Sequence, residues 1–285
     1  MAGPGCWSSF TVIAGAAGNL QVAAAGASCA RNDNAYNASM RFPVRAISLD
    51  LDDTLWPFAP IGERIETALH AWFVEHSPRT AERFPIRDMR ALRERVFAEF
   101  PQHAHDLGLL RRLTIERALH ESGDDPALGA AAYAIFFRER NRVDFYDDAH
   151  AALERIATCV PVAALTNGNA DLTAIGIAPL FRFQLGAREF GAGKPDPGIF
   201  LETCRRLDTP PLEVLHVGDH PLMDVAGAAR AGLRTCWIDR GEHAWPQDLA
   251  PADLHFTTLA GLADWLDGHA PQDHGAQPAR PEIAA

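Results

Sequence analysis

The sequence has few cysteines, no long apolar segment and little positive charge, and each absence excludes a class of protein. The five cysteines are scattered, without a CxxC pair or a closely spaced histidine, which predicts reduced thiols in a cytoplasmic protein and gives no sign of zinc. No apolar stretch approaches the roughly 18 residues of a transmembrane helix. The net charge of −11 and pI near 5.5 argue against a partner that is nucleic acid or a membrane surface. A small anionic substrate stays open, because a bound metal can reverse the local charge.

Charge is also missing from the N-terminal segment. Residues 1–30 contain no charged side chain and are rich in Ala, Gly and Ser. The basic region of a secretory signal is therefore absent, although residues 10–17 are weakly apolar and a poor export signal remains an alternative. We expect residues 1–39 to form a disordered extension, with Met40 as the natural start, and residues 268–285 to form a disordered tail.

The rest of the chain divides into two patterns. Residues 44–56 and 146–267 alternate between short apolar strands and helices, which is typical of an α/β protein with a parallel sheet covered on both faces. Residues 57–145 instead carry apolar side chains at helical spacing, and we expect an all-helical insert of four helices. Pro78 and Pro85 are expected to break the helical pattern after the first of these four helices.

The stretch that follows the first predicted strand carries unusual charge. The apolar run 46–49 is followed by Asp50, Asp52 and Asp53. Carboxylates this close repel one another, and a buried carboxylate is costly unless it is paired or bound to a metal. The structural alternative is an acidic turn in which Asp53 or Thr54 caps the next helix.

Polar side chains also stand at the ends of other predicted strands. Thr166 and Asn167 end the second strand, and Asp219 ends the fourth, with Asp224 five residues further on. Lys194 precedes a predicted helix N-terminus. Each of these has an ordinary explanation by itself, such as a turn, a helix cap or a solvated lysine. Because ligands bind at the carboxyl ends of parallel strands, the whole set predicts one polar site at this edge of the sheet.

These four patterns, in this order, resemble the haloacid dehalogenase-like (HAD) superfamily of phosphohydrolases. The DxDxT motif matches residues 50–54, a strand-ending threonine matches Thr166, a lysine matches Lys194, and GDxxxxD matches residues 218–224. The similarity covers about residues 44–267. It implies a Rossmann-like core, residues 44–56 and 146–267, with residues 57–145 as a helical cap domain.

The resemblance also implies roles for the first motif. Asp50 is expected to attack phosphorus and form an aspartyl-phosphate. Asp52 is expected to protonate the leaving oxygen and then to deprotonate the attacking water. The haloacid dehalogenases of the superfamily lack an acid/base aspartate at that position, since a leaving halide needs no proton. The presence of Asp52 therefore favours hydrolysis of phosphate esters.

A Mg²⁺ cofactor follows from the same resemblance, since this ion prefers carboxylate and phosphate oxygens. The implied ligands are Asp50, the main-chain carbonyl of Asp52, Asp219 and, in support, Asp224. Thr166 and Lys194 are expected to bind the phosphoryl group, and we assign Asn167 to the substrate-binding set as well.

The choice of substrate rests on weaker similarities. Residues 166–170, 215–219 and 235–238 resemble the YigB-type bacterial phosphatases, which act on flavin mononucleotide (FMN) and 5-amino-6-(5-phosphoribitylamino)uracil in riboflavin biosynthesis. In the cap, His105 and Arg111 are candidate substrate contacts, with ordinary helix-surface or cap-core positions as the alternative. A phosphoglycolate or nucleotide monophosphatase, or a catalytically silent regulatory protein on the same scaffold, remains open. The partner is then a small phosphorylated metabolite, and the protein a monomer or homodimer.

Overall fold

The computed structural model describes Asn37, Ser39, Met40 and residues 42–269. One sheet of six parallel strands organises this part of the chain. The strands are β1 (Ala46–Leu49), β2 (Val162–Thr166), β3 (Phe183–Gly186), β4 (Val214–Gly218), β5 (Arg234–Ile238) and β6 (Leu254–Phe256). Their order is β3-β2-β1-β4-β5-β6, so successive strands are added on one side of β1 up to β3 and on its other side from β4 onwards. This architecture confirms the predicted α/β class and places a ligand crevice at the carboxyl end of β1.

Five α-helices lie within residues 57–145, the segment expected to be the helical insert. They are α1 (Phe58–His76), α2 (Pro78–Arg83), α3 (Ile86–Glu99), α4 (Leu107–Ser122) and α5 (Gly129–Arg140). The expectation of four helices was wrong at α2, because Pro78 occupies the first helical turn and begins a helix there. Proline is tolerated at this position, where its missing N–H has no intrahelical acceptor. That the insert moves as a separate domain stays a prediction.

The other helices cover the sheet. They are α6 (Ala149–Cys159), α7 (Leu172–Ile175), α8 (Ala187–Phe190), α9 (Pro197–Arg206), α10 (Gly227–Arg230) and α11 (Leu259–His269). Side chains alternate between the two faces of a strand. Ile47 and Leu49 accordingly pack in the cluster that contains residues of α6 and α11, whereas Ala46 packs with Ile199 and Phe200 of α9.

Asn37 corrects the expectation for the N-terminal extension. Its side chain is buried, and its amide donates to the carbonyl oxygen of His255 at 2.5 Å and accepts from the His255 N–H at 3.1 Å. The indole of Trp265 donates to the Asn37 carbonyl at 2.9 Å. Asn37 thus hydrogen-bonds with the backbone of the edge strand β6 and with the indole of Trp265. Residues 1–36 and Ala38 of the predicted extension, and residues 270–285 of the predicted tail, lie outside the described residues.

Two simpler expectations can be compared with the described residues. Within them, no helix has both the length and the apolar composition needed to cross a bilayer. The cysteines at 159, 204 and 236 are free thiols. Cys204 and Cys236 are buried as expected, but Cys159 is exposed at the end of α6, so its assignment to the core was wrong.

Candidate active site

Three strand ends meet at the centre of the sheet. Leu49, the last residue of β1, is in register with Ala164 of β2 and Val217 of β4. The Asp50 N–H donates to the Val217 carbonyl at 2.9 Å, which continues the pairing by one residue. Asp50, Thr166 and Asp219 therefore emerge side by side, because parallel strands present their carboxyl ends at one edge.

A buried cluster of three carboxylates and one ammonium occupies this edge. Asp50, Asp219 and Asp224 each place one carboxylate oxygen within 4.8 Å of the others. The Lys194 ammonium lies 2.7 Å from Asp50 Oδ1 and 2.6 Å from Asp224 Oδ1. The lysine is buried, with 4% of its surface exposed, so both ion pairs are shielded from water. One ammonium facing three carboxylates leaves a surplus of two negative charges.

Burial dominates the electrostatics of these groups. It raises the pKa of Asp50 to about 7, with Lys194 opposing the rise and Asp224 adding to it. Burial also raises the pKa of Asp219 well above its usual range, and Asp224 and Asp50 add to that rise. Burial opposes ionisation of Asp224 as well, but the Lys194 ammonium and the hydrogen bond with His216 outweigh it and hold the pKa below its usual range. Two of the three carboxylates thus lack the positive charge that their ionised forms need.

The donor set fits a hard divalent cation. Carboxylate oxygens are the ligands that Mg²⁺ prefers, and a charge of +2 would offset the surplus. Asp50 and Asp219 are the carboxylates available to hold it. Asp224 is already engaged, because it also accepts from the His220 N–H at 3.0 Å and lies 3.0 Å from His216 Nε2. The supporting role expected for Asp224 at a metal stays a prediction.

The other two acidic side chains of the first motif, Asp52 and Asp53, have partners outside the carboxylate cluster. Asp52 accepts from the indole N–H of Trp56 at 2.9 Å and from Arg140 Nη2 at 2.5 Å. Asp53 has a positive φ of 59°, and its carboxylate accepts from the Phe58 N–H at 2.8 Å, the first residue of α1. The Asp53 carboxylate therefore binds the first N–H of α1 from outside the helix, while Pro57 occupies the N-cap position. The Asp52 side chain stays outside the carboxylate cluster.

Thr54 and Asn167 position the cluster from outside. The Thr54 hydroxyl donates to Asp219 Oδ1 at 2.8 Å. The Asn167 amide accepts from the Lys194 N–H at 2.7 Å and donates to the Lys194 carbonyl at 2.8 Å. A Cβ at Gly193 would lie 2.7 Å from Asn167 Oδ1, so glycine is needed there. The Asn167 side chain was expected to bind substrate, but here both ends of its amide hold the backbone of Lys194.

Comparison with known proteins identifies the family. A family model described as haloacid dehalogenase-like hydrolase matches residues 44–232. The chain belongs to this family. Among curated relatives of the hydrolase, the 5-amino-6-(5-phospho-D-ribitylamino)uracil phosphatase YigB of Escherichia coli K12 is 34% identical over 231 residues, which cover 78% of this chain and 96% of the relative. The phosphoserine phosphatase of Thermus thermophilus is 38% identical over 164 residues, 54% of this chain and 66% of the relative.

A solved structure supports the same family membership. The crystal structure of a 2-haloacid dehalogenase from Pseudomonas syringae pv. Tomato DC3000 aligns with a TM-score of 0.73 at 34% identity, covering 79% of this chain and 99% of that chain. The curated relatives above place this member of the HAD-like hydrolase family among the phosphoric monoester hydrolases.

Two residues of the helical insert, Arg111 and His105, were predicted to bind substrate. Arg111 lines a small cavity within the cap, with its guanidinium 5.0 Å from the centre of the Phe136 ring. Burial lowers its pKa to about 10, and the neighbouring Arg93 adds to this effect. His105 precedes Asp106, whose carboxylate accepts from the Leu109 N–H and so caps α4. Among the described residues, no hydrogen bond or ion pair joins Arg111 or His105 to the core site, and their roles stay predictions.

Several residues around the site escaped the sequence analysis. Ser48 Oγ lies 2.7 Å from His216 Nδ1, and His216 Nε2 reaches Asp224, so a polar chain crosses the sheet from β1 to β4. Burial lowers the pKa of His216, which favours its neutral form. The signal was a polar side chain in the middle of each buried apolar strand. Lys194 carried a further signal, because it is the only lysine among the 26 basic Lys and Arg residues.

Proposed function

We propose that this HAD-like hydrolase is a Mg²⁺-dependent phosphomonoesterase that works through an aspartyl-phosphate on Asp50. The observation that carries the proposal is the separation of its carboxylates. Asp50 lies in the cluster with Asp219 and Lys194, whereas the carboxylate of Asp52 is held outside it. A nucleophile and an acid/base group need such different surroundings, because one must attack phosphorus and the other must exchange a proton.

The proposed reaction has two steps. First, an oxygen of Asp50 forms a bond to phosphorus while the ester P–O bond breaks, and Asp52 gives its proton to the departing oxygen. Second, Asp52 takes a proton from a water molecule, whose oxygen attacks phosphorus and releases phosphate and free Asp50. Lys194 and the Thr166 hydroxyl stabilise the charge on the phosphoryl oxygens. A bound Mg²⁺ supplies further positive charge at these oxygens.

For the substrate we propose a phosphorylated metabolite of the riboflavin pathway, either 5-amino-6-(5-phosphoribitylamino)uracil or FMN. The support is the likeness to the named phosphatase YigB, which extends through the cap. We further propose that residues 57–145 form the cap domain that closes over the site, and that the enzyme works in the cytoplasm as a monomer or homodimer. A panel scored by kcat/KM, with phosphoglycolate and nucleoside monophosphates included, tests the substrate. The riboflavin assignment fails if the other phosphates rank above both FMN and the ribitylaminouracil phosphate.

Three neighbouring aspartates provide a matched test of the mechanism. Asp50→Asn should abolish turnover of every substrate, because an amide cannot form the acyl-phosphate. Asp52→Asn should lower kcat for an alkyl phosphate by about 10²–10⁴-fold, the usual worth of acid–base catalysis. In the same variant the rate of the first step should fall less with 4-nitrophenyl phosphate, whose leaving group needs no proton. Asp53→Asn is the control, since an amide oxygen still accepts from the Phe58 N–H.

The outcomes separate the competing functions. After an acid quench, mass spectrometry of Asp52→Asn should find an added phosphoryl group on Asp50, because activation of water is now slow. Turnover by Asp50→Asn would contradict the proposal, and so would equal losses for both substrates in Asp52→Asn. Halide release from a 2-haloacid without phosphatase activity would indicate a dehalogenase. Neither activity in the wild-type protein would indicate a silent scaffold.

A further inference from the structure

Arg140 connects the helical insert to the catalytic loop. It is the last residue of α5, and only 1% of its surface is exposed. Its Nη2 donates to Asp52 Oδ2 at 2.5 Å, and its Nε donates to Asn169 Oδ1 at 2.9 Å. The guanidinium also lies 5.3 Å from the centre of the Phe58 ring. A buried arginine is costly unless its charge is paired, and here the partner is the proposed acid/base carboxylate.

The Asp52 carboxylate is fixed from two directions. Trp56, four residues along the same loop, donates to Oδ1, and Arg140 donates to Oδ2 from the insert. Each oxygen thus has one directed donor, and the carboxylate cannot rotate without losing one of them. The insert therefore supplies half of what holds this carboxylate in place.

The pair sits directly on the turn that follows β2. A Cβ added at Gly168 would lie 2.5 Å from Asp52 Oδ2, 2.9 Å from Arg140 Nη2 and 3.2 Å from Thr166 Oγ1. Real Cβ contacts are longer than the first two of these, so any larger residue at position 168 would have to displace the Asp52–Arg140 pair. The pair and the Thr166 hydroxyl therefore border the same glycine, and Thr166 is one of the groups proposed to bind the phosphoryl oxygens. The remaining nitrogen, Arg140 Nη1, is buried and has no hydrogen-bond partner among the described residues.

We propose that Arg140 is the positioning residue for Asp52, and that it makes correct seating of the insert a condition for proton transfer. The inference rests on the proposed phosphatase function. Arginine suits the task because one planar group donates to Asp52 and Asn169 at once and still presents a face to Phe58. Lysine offers a single ammonium on a flexible stem and can reproduce the charge but not this geometry.

The test compares Arg140→Gln and Arg140→Lys with a control on the same helix. Arg138 is exposed and paired with Glu139 at 2.8 Å, so Arg138→Gln changes the same charge without touching the site. Arg140→Gln should lower kcat for an alkyl phosphate by about 10²-fold, the effect of a displaced catalytic group. The same variant should lower the rate of the first step with 4-nitrophenyl phosphate much less. Arg140→Lys should recover part of the loss, and Arg138→Gln should match the wild type.

A double variant distinguishes positioning from a purely structural role. If Arg140 acts through Asp52, adding Arg140→Gln to Asp52→Asn should cost almost nothing further in kcat. An equal loss for both substrates, or the full loss again in the Asp52→Asn background, would overturn the inference. If the wild-type protein releases no phosphate, the proposed function fails, and thermal unfolding of the same variants then tests whether Asp52 and Arg140 interact. Tm losses that add in the double variant would show that the two side chains are not coupled, whereas non-additive losses would show that they are.

Discussion

Replacing the buried lysine should expose how the carboxylate cluster is balanced. Lys194→Met keeps the length of the side chain but removes the ammonium that contacts Asp50 at 2.7 Å and Asp224 at 2.6 Å. Breaking a buried pair by removing one partner costs about 3–5 kcal/mol, because the remaining charge is uncompensated. The unfolding free energy without divalent cations should therefore fall by about that amount, and phosphatase activity should be lost.

Magnesium should narrow this difference in stability. The variant has three carboxylates and no ammonium at the site, so it should bind the cation more tightly than the wild type does. A ligand at about 100 times its Kd stabilises the folded state by about 2.7 kcal/mol. Urea unfolding followed by circular dichroism, with EDTA and with a Mg²⁺ series, measures both free energies. The control is Arg155→Met, which removes an exposed cation paired with Asp264 and Asp267; the difference in its unfolding free energy from the wild type should stay constant through the Mg²⁺ series.

Either of two results would refute this account of the charge balance. A Lys194→Met protein as stable as the wild type in EDTA would mean that its carboxylates are not held by the ammonium. A stability difference that stays constant through the Mg²⁺ series would mean that the surplus charge does not bind this cation.

Two further predictions concern stability away from the cluster. A chain that begins at Asn37 should have the same free energy of unfolding in urea as the full chain. A chain that begins at Met40 should lose about 2 kcal/mol of that free energy, because two hydrogen bonds to His255 disappear. Equal stability of the two shortened chains would contradict the pairing. Asp148 accepts from Arg240 and from the Leu259 N–H, and although burial raises its pKa, these donors outweigh burial and lower it. A group with a lowered folded pKa contributes its full stability above its unfolded pKa, so Asp148→Asn should cost about 1 kcal/mol at pH 7. The difference from the wild type should begin to shrink as the pH falls below about 4 and should vanish below the lowered folded pKa; a constant difference would refute this.

The part of the site formed at strand ends was accessible from the sequence. Asp50, Thr166 and Asp219 each follow a short apolar strand, and parallel strands bring their carboxyl ends to one edge whatever the loops do. The pattern thus indicated which residues meet before any contact was known. It could not indicate which carboxylate turns towards which partner, because rotation at Asp52 and the positive φ at Asp53 depend on the tertiary packing.

Arg140 was not accessible in the same way. It stands in the run Arg138-Glu139-Arg140-Asn141-Arg142, whose alternating charges are typical of a solvated helix end. Its partner Asp52 is 88 residues away in the sequence. Only the packing of α5 against the core decides that this arginine is buried while Arg138 stays exposed. The hydrogen bonds of Asn37 pose the same problem over 218 residues.

Because the sequence contains a single lysine, chemical modification of lysine reports on the carboxylate cluster alone. Amine-directed reagents such as formaldehyde with a borohydride can modify two kinds of group in a protein, the α-amino terminus and lysine side chains. Here the only lysine is the buried residue between Asp50 and Asp224. The rate at which Lys194 becomes methylated therefore measures how often the cluster opens to solvent. A phosphate mimic that seals the crevice should slow this modification, so reductive methylation can follow opening of the site without any substrate turnover.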